Sequence, residues 1–417
     1  MPRAQPTRRS RVILALALFA FSFAIRALYV ALRGPQLFPD SATYSLAAAN
    51  LANHGHFSVA TRAPFAPSTR IPPLYATFLW LLHYPVSTSA RVVVLLQGAF
   101  DAAISALLFL VVSEELSITL GLAVAIAHAL SPDMVMTSDN VLTEPLFTSL
   151  QCCGVLLFWW SLRIDRARYS AAAGFVLALT TLCRSLSLLL PFALIAAALT
   201  LPLPAPRTRQ RHLIALFAAF AVTLLPWTIR TSRLAHARVP VQSGGGVNFY
   251  ATTQIDVPAS EQWSALRADD PCVASLARAA TPPDLVESDR VCTHLAVARI
   301  AQRPFAYVVS RLVALPHLFV PAWSRGALPT IVKQLVMYGF ALVPLALAVL
   351  GAWSTRRHPL ARLATTVWLY TIVMHLALWV DSRFWSPVYP FVLVSAAYAV
   401  DVILKSWRAT RSSSDGP

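Results

Sequence analysis

Val12-Ile13-Leu14-Ala15-Leu16-Ala17-Leu18-Phe19 opens an apolar run that continues to about residue 32 with Arg26 as its one charge, and Arg3, Arg8, Arg9 and Arg11 precede it. Roughly 20 apolar residues are what a helix needs to cross the hydrocarbon of a bilayer. The basic start resembles a signal peptide, yet the run is long and no small-residue cleavage site follows. It reads as a retained first span with its N-terminus in the cytoplasm. Similar runs fall near 87–112 and 116–130, then at stretches ending near 160, 182, 203 and 227, and finally near 331–353, 363–380 and 385–404. The chain is 57% hydrophobic and only 12% charged, too apolar for a water-soluble domain. The expected fold class is all-α: a polytopic integral membrane helix bundle of about ten transmembrane helices, with interfacial helices and one larger loop on the outer side.

The net charge of +16 is no sign of a nucleic-acid partner. Its cations gather at Arg163, Arg166 and Arg168, at Arg207, Arg209 and Arg211, at Arg356, Arg357 and Arg362, and in the tail from Lys405. These are the ends of spans that the positive-inside rule places in the cytoplasm, so both termini are expected there. The turn Ser113-Glu114-Glu115 is the exception, with no cation. Arg far outnumbers Lys and Ala is abundant, as in a GC-rich bacterial genome, which makes the expected location the bacterial plasma (inner) membrane.

The organisation expected is an N-terminal membrane module over 1–230 containing a first outer loop at 33–86, and an outer loop or subdomain over 231–330. C-terminal spans over 331–404 and a disordered cytoplasmic tail over 405–417 follow. The prolines from 64 to 73 leave 74–82 as a second interfacial helix, and 304–323 reads as interfacial as well. Cys272 and Cys292 share the large outer loop, where a disulfide between them is expected. Cys152, Cys153 and Cys183 lie in or beside spans and read as packing residues. No CxxC or HExxH pattern occurs, so no cofactor is expected and a divalent metal has no motif to support it.

Directly after the first span comes Phe38-Pro39-Asp40-Ser41-Ala42-Thr43-Tyr44. From Asp40 onward Tyr44, Ala47, Ala48 and Leu51 recur on one helical face, with Thr43, Asn50 and Asn53 on another. This is a short amphipathic helix on the membrane surface, with Asp40 at its N-terminal end either as an N-cap or as a carboxylate able to accept a proton. By this layout the outer face collects Asp40, Arg70, Asp139, Glu144, Arg184, Asn248, Tyr250 and Arg383. Carboxylates there can take a proton from a hydroxyl, and arginines can hold a membrane-anchored phosphate as it departs. Inside the spans the charged and strongly polar residues are few. Asp101 needs a partner, for which Arg26 is a candidate, and the pair reads as structural.

These pieces together resemble the type-C glycosyltransferase superfamily, in particular the branch of protein O-mannosyltransferases, the aminoarabinose transferase acting on lipid A, and related bacterial enzymes. The resemblance rests on Pro39-Asp40 with Tyr44, Arg70-Ile71-Pro72-Pro73-Leu74-Tyr75, and Ser138 through Glu144-Pro145-Leu146-Phe147. It continues through Leu182-Cys183-Arg184, Leu225-Pro226-Trp227-Thr228-Ile229-Arg230, Gly245-Gly246-Val247-Asn248-Phe249-Tyr250 and Asp381-Ser382-Arg383-Phe384-Trp385. It implies transfer of a sugar, with inversion, from a polyprenyl-phosphate donor to an envelope glycan, lipid or protein at the outer face. Asp40 would be the catalytic base and Glu144 a second acid. Arg70, Arg184 and Arg383 would be candidates for the donor phosphate, while Tyr44, Tyr75, Asp139, Asn248 and Tyr250 would bind substrate. The chain departs from the family at Ser41, where many relatives carry a second acid. It also lacks a Glu-Lys pair before Pro72, so the lipid A substrate does not carry over. A transporter or flippase for a lipid-linked glycan is the alternative, and a non-catalytic assembly subunit a third; a transporter would gather its polar residues at the bilayer midplane, whereas here they gather outside.

Overall fold

The apolar runs form helices, and the prolines between them set many of the starts. The computed structural model describes residues 7–202, 206–258, 261–319 and 330–414. Its helices are, in order, α1 (Arg8–Arg33), α2 (Pro39–His54), α3 (Pro73–Leu81), α4 (Ala90–Glu115), α5 (Ile118–Leu130), α6 (Pro132–Thr137), α7 (Glu144–Arg163), α8 (Ala167–Cys183) and α9 (Leu190–Leu199). They continue as α10 (Pro206–Ala235), α11 (Gly245–Ala251), α12 (Pro271–Arg278), α13 (Pro282–Gln302), α14 (Pro304–Ala314), α15 (Pro316–Phe319), α16 (Thr330–Ser354), α17 (Pro359–Ala377) and α18 (Tyr389–Ser414). Among the described residues there is no strand beyond one isolated bridge. Proline stands in the first turn of α2, α3, α6, α7 and α17, where its fixed φ suits the helix and its missing N–H would have no partner anyway.

Among the described residues six helices are long and apolar enough to cross a membrane by length and composition: α1, α4, α7, α10, α17 and α18. The shorter apolar helices α5, α8 and α9 pack among them. Large apolar side chains such as Leu16, Leu28, Leu32 and Val222 point outward, as they do where the solvent is lipid. Inside, association depends on close approach. A Cβ at Gly174 of α8 would stand 2.1 Å from the Leu216 carbonyl of α10, and one at Gly351 of α16 would stand 2.0 Å from the Ser395 carbonyl of α18. Any larger residue at either position forces those helix pairs apart.

Within the bundle Arg26 of α1 pairs with Asp101 of α4, both nearly without solvent contact. Arg26 also donates to Ser22 Oγ (2.7 Å) and to the Ala129 carbonyl (3.2 Å), while Ser105 Oγ joins Ser22 Oγ (3.0 Å) to His128 Nδ1 (2.8 Å). A closed polar knot thus ties α1, α4 and α5 together. At one end of the bundle Glu114 and Glu115 pair with Arg11, Arg163 and His358. The turn that lacked cations in sequence receives them from α1 and α7, with the His358 ring beside Glu115 before α17.

The structure departs from expectation in several places. Pro226 does not end the seventh span: α10 continues to Ala235, so the 230/231 boundary falls inside a helix. Proline removes only one backbone donor, and within a bundle neighbouring groups tolerate that loss. The run ending near 203 is shorter than a span, a 3-10 turn at Ser185–Leu189 followed by α9. The stretch from Lys405, expected to be disordered, extends α18 to Ser414, with Lys405 bonded one turn back to Asp401 at 2.7 Å. The interfacial reading of 320–323 lies outside the described residues. Asp40 is not the N-cap of α2, whose N-cap is Phe38. Asn50 is buried rather than on a wet face, its amide donating to the Ser58 and Ala60 carbonyls at 2.9 Å each. It pins the loop that follows its own helix.

Candidate active site

Four chain breaks converge at the other end of the bundle, and hydrogen bonds show why. The link between α1 and α2 runs beside the link between α6 and α7: Gln36 N–H donates to the Asp139 carbonyl (2.8 Å) and Val141 N–H to the Gln36 carbonyl (3.1 Å). Ser41 Oγ then donates to the Val141 carbonyl at 2.7 Å. This clamp sets the first turn of α2, with Asp40, against the first turn of α7, with Glu144. From α4, Gln97 donates to the carbonyls of Asn140 (3.0 Å) and Leu142 (3.3 Å) and accepts from Tyr75 of α3 at 2.8 Å. Tyr75 meets Tyr44 edge to face at 5.1 Å, so α2, α3 and the α7 entrance share one anchor. The link between α17 and α18 arrives on the same side, and Gln151 of α7 holds it by donating to the Pro387 carbonyl at 3.1 Å.

The charged side chains delivered by these links form a graded cluster. Glu144 is 3% exposed and accepts from Arg184 Nη1 at 2.8 Å. Arg184 is the C-cap residue of α8, and its guanidinium lies over the rings of Phe147 and Phe384 at 5.7 Å and 4.7 Å. Arg383 stands between the buried and open parts: its Nε lies 3.7 Å from both Glu144 Oε1 and Asp381 Oδ2, and its Nη1 donates to Asp40 Oδ2 at 3.0 Å. The Asp40 side chain is 56% exposed, the most open of the set. Asp381 also accepts from the Arg383 backbone N–H at 3.0 Å, which orients the turn carrying the guanidinium. Burial works against the charge of Arg383, yet Glu144, Asp381 and Asp40 outweigh it and raise its pKa above the ordinary value.

This arrangement contains three carboxylates and two guanidiniums. The pair Glu144–Arg184 is buried and fixed by aromatic faces on two sides. The pair Asp40–Arg383 is open and can exchange partners. Arg383 Nε has no hydrogen-bond partner although it is buried, so the residue has donor capacity left. An incoming anion that takes the Arg383 nitrogens releases Asp40 as a free carboxylate beside it. Among the described residues no group of three or more His, Cys, Asp or Glu side chains is arranged to hold a metal ion.

Asp40, Glu144, Arg184 and Arg383 are therefore brought together, with Tyr44 and Tyr75 packed beneath them. Asp139 is buried at the clamp, and burial raises its pKa to about 7 against the opposing effect of Arg33. Arg70 sits on the loop before α3, and among the described residues no ion pair links it to the cluster; its backbone N–H donates to Ser68 Oγ at 3.1 Å. Asn248 and Tyr250 lie on α11. Tyr250 is buried in the subdomain made by α11, α12 and α13, donating to Asp270 Oδ1 at 2.6 Å with Arg299 over its ring at 4.2 Å. Asn248 accepts from Trp263 Nε1 at 3.2 Å. The Cys272–Cys292 disulfide joins α12 to α13 in that same small core. Asp381 is the member of the cluster that the sequence reading leaves without a role, although a carboxylate two residues before an arginine in a short turn is a signal for it.

Residues 70–229 match a family model described as dolichyl-phosphate-mannose-protein mannosyltransferase. Three solved structures of the oligosaccharyltransferase of Archaeoglobus fulgidus share the fold. One, tethered by a disulfide to an acceptor peptide containing the NVT sequon, aligns with a TM-score of 0.56 and 13% identity over 96% of this chain and 50% of that one. The apo form gives 0.54 and 12% over 96% and 52%. The form named AglB, in complex with an inhibitory peptide and a dolichol-phosphate, gives 0.53 and 15% over 97% and 52%. The chain thus spans about half the length of these structures, and at such identity the likeness is one of fold. No curated protein matches the chain. The resemblance to type-C glycosyltransferases read from the motifs is present both in the family match and in the fold.

Proposed function

We propose that this chain is an inverting glycosyltransferase that uses a polyprenyl-phosphate sugar and acts at the extracytoplasmic face of a bacterial plasma membrane. The observation that carries the reading is Arg383, held between the open carboxylate of Asp40 and the buried pair Glu144–Arg184. The donor's phosphate engages Arg383 in place of Asp40 and meets the unsatisfied Nε. Asp40, released, accepts the proton of the acceptor hydroxyl. The hydroxyl oxygen bonds to the anomeric carbon from the side opposite the phosphate, and the bond from that carbon to the phosphate oxygen breaks. The electron pair leaves with the prenyl phosphate, whose added charge the guanidinium stabilises. Inversion follows from the single displacement. Glu144 keeps Arg184 and Arg383 in place and is too buried to serve as the base.

The chemistry needs no acid for the leaving group, because a phosphate departs as a stable anion. Acceptor classes that fit are hydroxyls of envelope glycans, lipids or proteins. The test is transfer of radiolabelled sugar from a synthetic polyprenyl-phosphate donor in membranes containing the protein or its Asp40→Asn form. The reading requires transfer by the first and its loss, by about 10²-fold or more, in the second.

A further inference from the structure

Two long stretches of the sequence hold no acidic residue: none falls between Asp40 and Asp101, and none between Asp165 and Asp256. The fold joins parts of both. In the loop between α2 and α3 the Ser68 N–H donates to the Phe57 carbonyl at 2.8 Å, and His54 of α2 stacks on Phe65 with ring centroids 3.9 Å apart. The chain after α10 folds back on that helix. There Trp227 Nε1, Thr228 Oγ1 and Thr231 Oγ1 donate to the carbonyls of Val241 (2.7 Å), Pro240 (2.6 Å) and Val239 (2.7 Å). Loop and returning chain then meet. Ser243 N–H donates to the Thr69 carbonyl at 2.8 Å, the two hydroxyls lie 2.7 Å apart, and Phe57 meets Trp227 edge to face at 5.2 Å.

The charged side chains of this joined surface are all arginines. Arg62, Arg70, Arg233 and Arg238 are exposed, and Arg230 is half-buried. The Arg230 guanidinium lies 4.5 Å from the Trp227 ring and 5.5 Å from the Phe57 ring, and its Nη1 donates to the Ser68 carbonyl at 3.2 Å. Rings and a neutral carbonyl fix its orientation without neutralising it. Among the described residues no ion pair includes any of these arginines, whereas Arg184, Arg299 and Arg383 each have one. Asp289, the acid that reaches the neighbouring turn, accepts from the N–H groups of Gly244 and Gly246 instead. Like charges gathered this way repel one another and focus a field that draws anions. The surface adjoins the proposed site: Tyr44, one turn after Asp40, packs on the apolar cluster of Ala47, Phe57, Ile71 and Ala76, as Trp227 does.

We propose that the loop over 55–72 and the end of α10 form the docking surface for the acceptor, and that this acceptor is an acidic glycan whose units carry carboxylates. The proposal deepens the transferase reading and rests on it. Arg230, already oriented, takes one carboxylate side on, since the planar pair of oxygens and the single charge match one guanidinium fork. The exposed arginines around it meet the neighbouring carboxylates, and a hydroxyl of the unit nearest α2 is the one offered to Asp40. Headgroups of an anionic bilayer carry the same sign of charge. An arginine serving them snorkels on a free stem, however, whereas Arg230 is stacked and bonded, as suits a ligand of fixed geometry.

The test is binding to the full chain in phosphatidylcholine nanodiscs, with no sugar donor present. The probes are a fluorescent oligogalacturonate and its fully methyl-esterified form, which keeps the sugar chain and removes the charge. Wild-type protein should bind the acidic probe about tenfold or more tighter than the ester, and added salt should narrow the gap. Arg230→Gln should weaken binding of the acidic probe about fivefold, and Arg62→Gln, an exposed change, about twofold. Equal binding of acid and ester by wild type overturns the proposal, as does wild-type affinity in both variants. Loss of binding when phosphatidylglycerol enters the discs also overturns it, because headgroups are then the occupant. If Arg230→Gln does not fold, the double change Arg62→Gln with Arg233→Gln decides in its place. Because no donor takes part, failure here leaves the transferase reading standing, and that reading fails separately through the transfer assay on Asp40→Asn.

Discussion

Arg26 and Arg383 are both arginines held by an aspartate of another element, yet they do opposite things. Around Arg26 the neighbours Asp101, Ser22, Ser105, His128 and the Ala129 carbonyl close a knot nearly without solvent contact. Around Arg383 the carboxylates are arranged by depth, from Glu144 at 3% exposed to Asp40 at 56%. A closed charge pair in hydrocarbon cannot release a partner without leaving a bare ion, so it can only fasten helices. A pair with one open member can exchange it for a ligand. Depth, more than residue type, separates the structural ion pair from the reactive one.

Substitutions can break this contrast, and the largest effect belongs to the knot. Arg26→Leu leaves Asp101 uncompensated and should cost about 3–5 kcal/mol, read as a lowered unfolding temperature or loss of monodisperse protein in detergent. The double change Arg26→Met with Asp101→Leu should recover most of that stability, since a closed pair has no duty beyond packing. If the double variant folds as poorly as the single, the knot is not merely a fastener. Arg184→Gln should come next. Glu144 then keeps the Thr143 hydroxyl at 3.3 Å and the 3.7 Å approach of Arg383, and the fold should lose about 1–3 kcal/mol while transfer falls roughly a hundredfold. Asp381→Asn keeps the cap on the Arg383 backbone but removes one of three negative charges. Polyprenyl-phosphate binding should tighten about fivefold at low salt, with unfolding unchanged; weaker binding would mean that Asp381 positions Arg383 chiefly through its charge.

A pH slope gives a further check. Burial raises Asp133 and Asp139 to about 7 each from 3.8. The folded chain keeps these protons up to about pH 7, whereas the unfolded chain has released them by then. Their contribution to stability is therefore full below about pH 4, falls as pH rises, and is gone above about pH 7. Asp133→Asn should flatten that decline in melting temperature without affecting transfer.

Much of this was legible in the sequence for a simple reason. Apolar runs long enough to cross a bilayer have few alternatives, and charged residues at their ends must sit at an interface. Asp40, Glu144, Arg184 and Arg383 each occupy a break between helices, so their common end followed from counting spans. Their depth did not, because it depends on the clamp between residues 36 and 139–141, whose bonds are backbone to backbone and leave no residue signature. Gln97 was visible as a polar residue in a span, but its partners are carbonyls. Pro226 reads as a helix end in a linear pattern and is an interior residue in the bundle. Tyr250 and Asn248 look like cleft residues after two glycines, yet the pitch of α11 turns Tyr250 into the disulfide core.

The account turns on whether Asp40 works chemically while the buried charges hold the fold. Sugar transfer and thermal unfolding, measured side by side on wild type and Asp40→Asn, address that directly. The expected result is transfer lost by about 10²-fold or more with the unfolding temperature within a few degrees of wild type. Near-normal transfer by Asp40→Asn would contradict it.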